Sequence, residues 1–206
     1  LLGEVAGHLV PPDLAQERLL VAAAGRLHPG ATCVEAAARR GVRRARQVAA
    51  HADAMFVLLS DPAIYAYENA PPPSVEWLRE RYARLETRRS GDGTEHWLNW
   101  VVRLADGEPI GYVQATVHAS GRAAIAYEFG SAWWGKGYAR EATQAMIDEL
   151  AAQYGVRGLD AVLKRANFRS LRLLERLGFT LASAERHATE SVEPDECLMR
   201  RDLAGG

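Results

Sequence analysis

The chain predicts an α+β domain with a mixed, mostly antiparallel central sheet flanked by helices. Three observations carry this. Residues 97–129 hold three strand-like runs separated by the turn signals Asp106-Gly107 and Ser120-Gly121. Beyond residue 138 the pattern changes to helix, strand, helix, strand, strand. Between the two regions a glycine-spaced turn, Trp134-Gly135-Lys136-Gly137-Tyr138-Ala139, leads from a strand into a helix.

In chain order, residues 1–50 stand apart: they contain no Phe, Trp, Tyr, Ile or Lys and carry the basic run Arg39, Arg40, Arg43, Arg44, Arg46. Asp13-x-x-Gln16 and Thr32-x-x-Glu35 fit capping boxes, so helices are expected near 13–26 and 32–40. We therefore read 1–50 as an atypical, Ala/Arg-rich and helical segment and 51–206 as the main domain. Ala54, Phe56, Val57 and Leu59 suggest a helix stopped by Asp61-Pro62. Ser74 is the expected N-cap of a second helix with Trp77, Leu78, Tyr82 and Leu85 on its apolar side. Strands follow at Trp97 to Leu104, Ile110 to His118 and Ala123 to Phe129, the runs richest in β-branched and aromatic residues. After the glycine turn come a helix from Tyr138 to Tyr154, a strand from Leu159 to Leu163, a helix opening at Asn167, and a strand from Phe179 to Ala184. Glu196 to Leu203 is expected to close the sheet.

Composition narrows the function classes. With 206 residues, 48% of them hydrophobic, the chain is long enough for one sizeable core. A formal net charge of −1 advertises no nucleic-acid partner. Cys33 and Cys197 lack metal-ligand spacing and are too few for a disulfide framework; the reading is two free thiols in a reducing cytosol and no metal site. The opening residues are broken by charge and by Pro11-Pro12, so neither a signal peptide nor a membrane span is expected, and the expected location is cytoplasmic.

The glycine turn is the feature closest to chemistry. Gly135 and Gly137 let the backbone approach a phosphate without Cβ interference, and the following helix directs its unpaired N–H groups and positive dipole end at an anion. Lys136 adds a mobile charge. Such pairs also occur in ordinary turns. A second element lies about thirty residues downstream, Asn167-Phe168-Arg169-Ser170-Leu171-Arg172-Leu173-Leu174-Glu175-Arg176-Leu177-Gly178-Phe179.

Taken together, the two segments resemble the GNAT superfamily of acetyl-coenzyme A-dependent N-acetyltransferases, and most closely its ribosomal-protein N-terminal acetyltransferase branch. There a Trp-Gly-Lys-Gly-Tyr-Ala turn precedes a Glu-Ala helix, and an Asn-x-x-Ser helix ends in Leu-Gly-Phe. The resemblance runs from His51 to Leu203. It implies a GNAT-like acyl-CoA N-acyltransferase fold, acetyl-coenzyme A as co-substrate, and transfer of the acetyl group to a primary amine by direct attack. The acceptor would be a peptide or protein N-terminus or a small-molecule amine, and the assembly a monomer or homodimer. Such domains open with a strand, whereas Val42 to Val48 has a poor strand signal. Either this arginine-rich stretch still pairs at the sheet edge, or Arg18 to Val21 supplies the strand, or residues 1–50 are an extension or the product of a shifted reading frame.

The resemblance also implies roles. The cofactor arm would pair with the strand at Tyr127, Glu128 and Phe129, and the turn Trp134, Gly135, Lys136, Gly137, Tyr138, Ala139 would hold its pyrophosphate, with Asn167 and Ser170 facing the cofactor. The family's Arg or Gln at the first turn position is Trp134 here, so the side chains of Trp133 and Trp134 equally suit packing. A base is needed because an alkyl ammonium cannot attack. Glu128 is the first candidate, since alternation sends Ala124, Ala126 and Glu128 to one strand face and Ile125, Tyr127 and Phe129 to the other. It equally suits holding a turn or pairing with Arg122, and His96 is the runner-up base. The family's usual tyrosine on the last helix is Leu174 here, which leaves Ser170 to donate to the leaving sulfur; Asn167 also fits an N-cap. A strand N–H near Phe129 would meet the oxyanion. Acceptor specificity would lie around Asp61 to Pro73, with Tyr65, Tyr67 and Glu68 at the opening, and near Trp97 and Trp100. The main alternative is a non-catalytic acyl-CoA-binding or sensor module. A dinucleotide-binding protein is disfavoured because the turn lacks a third glycine and follows antiparallel strands.

Overall fold

The structure, a computed structural model, describes residues 41–67, 70–190 and 192–203. The expected helices at 13–26 and 32–40, Cys33 and Glu68 lie outside the described residues.

Strand β1 (Arg43–Arg46) is followed by helix α1 (Ala52–Leu59) and helix α2 (Val75–Leu85). A meander of β2 (His96–Arg103), β3 (Pro109–Val117) and β4 (Arg122–Phe129) comes next. Helix α3 (Tyr138–Tyr154), strand β5 (Gly158–Lys164) and helix α4 (Phe168–Arg176) alternate after it. The chain ends with β6 (Thr180–Leu181), the short helix α5 (Ala184–Thr189) and β7 (Glu196–Asp202). No helix among the described residues is long and apolar enough to cross a membrane.

Local chemistry explains the boundaries. The Ser74 side chain accepts from the Trp77 N–H at 3.1 Å and starts α2. The Asn167 side chain accepts from the Ser170 N–H at 3.1 Å and starts α4. Gly155, at φ +61°, ends α3 by donating its N–H to the Leu150 carbonyl. At the β2–β3 hairpin Gly107 takes φ +93°, a conformation that costs glycine little.

The seven strands lie in the order β1-β2-β3-β4-β5-β7-β6. All neighbours are antiparallel except β4 and β5, which run parallel. Of the readings open for the arginine-rich stretch, the structure adopts pairing at the sheet edge: Arg43 to Arg46 face Arg103 to Trp100 of β2. The sheet domain thus includes residues before 51. The middle arginine is not a solvated charge. Arg44 is 5% exposed, ion-paired to Glu149 of α3 at 3.2 Å and stacked over Trp100 at 5.5 Å. Burial lowers its pKa, partly opposed by Glu149.

Two further corrections concern the C-terminal edge. The strand expected over Phe179 to Ala184 shrinks to Thr180–Leu181, because Ser183 caps α5 by accepting from the Arg186 N–H. The last strand does not close the sheet; β7 inserts between β5 and β6, pairing Gly158 with Asp202 and Lys164 with Glu196.

The core has two parts, one on each sheet face. The larger joins Leu98, Trp100, Val113 and Ile125 to Met146, Ile147 and Leu150 of α3 and Leu174 of α4. The smaller joins Met55 and Leu59 of α1 and Leu78 and Tyr82 of α2 to Val101, with Tyr112 packed against it. Sheet alternation produces this split: Trp100 and Val101 are consecutive and point to opposite faces.

Candidate active site

The sheet opens where its two parallel strands meet. β4 and β5 pair only over Arg122–Ala124 and Gly158–Asp160, while β4 continues to pair with β3 as far as Phe129 and β5 with β7 as far as Lys164. Beyond Ala124 the two strands part and leave a wedge. Arg122 anchors its closed end, reaching Asp160 at 2.8 Å and Asp202 at 2.8 Å. Its partners are therefore these two carboxylates rather than Glu128.

Hydrogen-bond parity decides which groups face the wedge. Gly130 donates to the Ile110 carbonyl of β3 at 3.1 Å. In an antiparallel pair such bonds recur at every second residue, so Glu128 shares that orientation and the main-chain polar groups of Tyr127 and Phe129 turn toward the open side. The Phe129 carbonyl receives the Trp134 indole N–H at 2.8 Å, which ties the strand to the glycine turn.

The turn has the conformation its glycines permit. Gly135 and Gly137 lie at φ +74° and +86°, and Gly137 is the N-cap of α3. The first main-chain bond of α3 runs from the Glu141 N–H to the Gly137 carbonyl. The N–H groups ahead of it have no intrahelical partner, and the positive end of the helix dipole coincides with them. Cationic side chains gather there: Lys136 lies over Trp133 at 4.6 Å, and Arg169 of α4 stacks over Trp134 at 3.7 Å. Tyr138 packs edge-on to Trp133, with ring centroids 6.0 Å apart, and Ala139 packs against the larger core. Trp133 and Trp134 thus serve packing and cation stacking together.

Across the wedge mouth, the Tyr127 hydroxyl lies 2.6 Å from Ser170 Oγ. Leu174, one turn further along α4, is 1% exposed and belongs to the core. The Asn167 side chain is engaged as the N-cap of α4, and Phe129 is a buried core ring.

Glu128 sits on the opposite face of β4 from Tyr127. It lines a cleft of about 160 Å³ together with Tyr65, Trp77, Tyr82, Tyr112 and Gln114. The phenols are held neutral: burial pushes Tyr65 and Tyr112 above the usual phenol range, and the Glu128 charge pushes both further. Arg81 also lines the cleft and stacks over Trp77 at 5.6 Å.

Several expected residues lie elsewhere. Tyr67 is exposed and does not line the cleft. Trp100 packs on the α3 face beneath Arg44, and the Trp97 indole N–H donates to Glu95 at 3.2 Å near the far end of the meander. His96 is at that same end, edge-on to Tyr154 and paired with Val117, so it is not positioned as a base for this cleft. Tyr112, Gln114 and Arg169 are new members of the site. Tyr112 and Gln114 share the period of β3, a signal that marks a common face without saying what covers it.

Comparison with known proteins agrees with this architecture. The family described as acetyltransferase (GNAT) domain matches residues 42–180. The uncharacterized N-acetyltransferase p20 of Bacillus licheniformis is 30% identical over 131 residues, which are 62% of this chain and 72% of that protein. Among solved structures, the ribosomal L7/L12 alpha-N-protein acetyltransferase RimL in complex with coenzyme A is similar with a TM-score of 0.71 at 15% identity, covering 84% of this chain and 99% of that one. Spermidine N-acetyltransferase from Vibrio cholerae, in complex with coenzyme A and spermine, is similar with a TM-score of 0.65 at 17% identity, over 80% of this chain and 97% of its own. At such identities these structures speak for the fold. With the family match and the curated relative, the chain belongs to the GNAT acetyltransferases and is an acetyl-coenzyme A-dependent N-acetyltransferase.

Proposed function

We propose that this enzyme acetylates a primary amine, a peptide or protein N-terminus or a small-molecule amine, by direct attack, with Glu128 as general base. One observation carries the reading. Glu128 lies on the stretch of β4 left without a β5 partner and also lines the aromatic cleft on the α1–α2 face. A single residue thus joins the unpaired stretch of strand to a candidate acceptor cleft.

The cradle fits acetyl-coenzyme A. Two left-handed glycines and an unpaired helix start suit a pyrophosphate, with Lys136 and Arg169 supplying positive charge. The outward main-chain groups of Tyr127 suit an amide of an extended arm, which leaves the Phe129 N–H for the acetyl end. When bound, this co-substrate supplies an activated acetyl thioester.

The residues of the chain divide the remaining work. Tyr65, Trp77, Tyr82 and Tyr112 wall the cleft and present aromatic faces to the acceptor's ammonium form. Glu128 takes the proton, directly or through one water, and so produces the neutral nucleophile. The Phe129 N–H is the candidate donor to the oxyanion, and the Ser170 hydroxyl the candidate donor to the departing sulfur. Amines that bring a positive charge to the Glu128 cleft are the expected acceptors.

The test is the thermal unfolding midpoint with acetyl-coenzyme A, desulfo-coenzyme A or NAD, followed by thiol release over an amine panel. Ligand at about a hundred times its dissociation constant adds roughly 2.7 kcal/mol, or about 5 to 10 °C for a chain of this size. Both coenzyme A ligands should shift the midpoint and NAD should not. A shift without turnover on any amine would favour an acyl-CoA-binding role over catalysis. No shift from a cleanly unfolding protein would overturn the cofactor site.

A further inference from the structure

We propose that Tyr127 is a positioning residue that acts through Ser170: the phenol donates to Ser170 Oγ across the wedge mouth and leaves the serine's own hydrogen directed at the departing sulfur. This rests on the cofactor placement proposed above.

The geometry is specific. Tyr127 comes from β4 and Ser170 from the first turn of α4, 43 residues later, and their oxygens approach to 2.6 Å. That bond links the two walls of the wedge where strand pairing has ended. The Ser170 N–H donates to the Asn167 side chain at 3.1 Å, and the Ser170 carbonyl is a second, longer acceptor for the phenol at 3.4 Å, so the shorter contact to the hydroxyl is the one the relay uses. Ser170 carries the sole hydroxyl on α4, and one turn further on stands the buried, apolar Leu174.

A serine hydroxyl has one hydrogen and two lone pairs. When the phenol fills one lone pair, the serine hydrogen is turned away from Tyr127, and the accepted bond polarises it as a donor. Burial chiefly, and then Glu128 on the opposite strand face, keep the phenol protonated, although its bond to Ser170 pulls the other way. The phenol therefore keeps a hydrogen to donate through the neutral pH range.

In the leaving step the carbon–sulfur bond breaks and its electron pair goes to sulfur while the acetyl carbonyl re-forms. The Ser170 hydrogen stays on its oxygen and bridges to the thiolate, which takes a proton from solvent after release. Both hydroxyls end the cycle unchanged, so no further reactant is required.

The experiment titrates the thiol of bound coenzyme A by thiolate ultraviolet absorbance in wild type, Tyr127→Phe, Ser170→Ala and the double variant. Desulfo-coenzyme A affinity, the unfolding midpoint and kcat are measured alongside. Each single change should raise the bound thiol's pKa by about one unit, a tenfold weakening of thiolate stabilisation worth about 1.4 kcal/mol. The double variant should match Ser170→Ala, because the phenol has nothing to act through once the serine is gone. Turnover should fall about tenfold in Tyr127→Phe, with desulfo-coenzyme A affinity unchanged. A thiol pKa that moves in Ser170→Ala but not in Tyr127→Phe would overturn the relay, as would additive shifts in the double variant. Loss of desulfo-coenzyme A binding in folded Tyr127→Phe would also overturn it, by making the phenol part of the binding site. If wild type bound no coenzyme A at all, the cofactor placement itself would fall.

Discussion

Gly111→Ala is the change whose consequence the structure specifies most closely. Gly111 of β3 lies opposite Phe129 of β4, and the phenyl ring covers it. A methyl group there would stand 2.6 Å from Phe129 Cδ1 and 2.8 Å from Cγ, and would also press on the Glu128 carbonyl. Carbon atoms rest at about 3.5 to 4.0 Å, so the neighbours must retreat by nearly an ångström. Neither is a flexible tip: one is main chain, and the other is a ring only 5% exposed in the core. Overpacking of this kind costs about 1–3 kcal/mol, which lowers the unfolding midpoint by about 2 to 12 °C for a chain of this length. Because the displaced backbone carries Glu128, kcat should fall as well. The comparison is Gly93→Ala in the α2–β2 connection, where φ is +72° and no atom lies within 4 Å of the added Cβ. That variant should lose about 1–2 kcal/mol to backbone strain and keep its kcat. Scanning calorimetry and thiol release on the same preparations make the check. A Gly111→Ala protein with the wild-type midpoint and turnover would refute the packing argument.

Two other outcomes follow from the site and from the α1 entry. Glu128→Gln should lower kcat by about 10² to 10⁴ while leaving the desulfo-coenzyme A dissociation constant within twofold, and the acid limb of the pH–rate profile should vanish with it; a steady-state and calorimetric comparison that finds binding and turnover falling together would assign Glu128 to structure instead. His51 Nδ1 accepts from the Val48 N–H at 3.0 Å, and burial first, then Arg103, lowers its pKa below 6.5. A depressed histidine binds fewer protons folded than unfolded, so its stabilisation is present above the unfolded value and is lost as pH falls through the folded one. Midpoints recorded between about pH 7.5 and 5.5, one unit either side of an ordinary histidine, should therefore drop more steeply for wild type than for His51→Asn; equal slopes would remove His51 from the acid response.

The sequence by itself determined the local vocabulary of this protein. Apolar periodicity placed α2 and α3, β-branched and aromatic runs placed the meander, Ser74 and Asn167 marked helix starts, and paired glycines marked the turn into α3, because each depends on residues within a few positions of one another. Glu128 was legible for the same reason, as the residue of β4 that alternation sends away from Tyr127. Only the tertiary structure decided what those elements do together. The strand formed by Arg43 to Arg46 was hidden because its strand character comes from Arg44 burying itself between Trp100 and Glu149, partners more than fifty residues away along the chain. Trp97, Trp100 and His96 carried the right chemistry in the wrong places, since strand register and face set their neighbours. The wedge beyond Ala124, the Tyr127–Ser170 bond across it and the cleft joining Tyr65, Tyr82 and Tyr112 to Glu128 arise where distant segments are packed against one sheet. Periodicity assigns a residue to a face, but the closure of long loops decides which other face it meets.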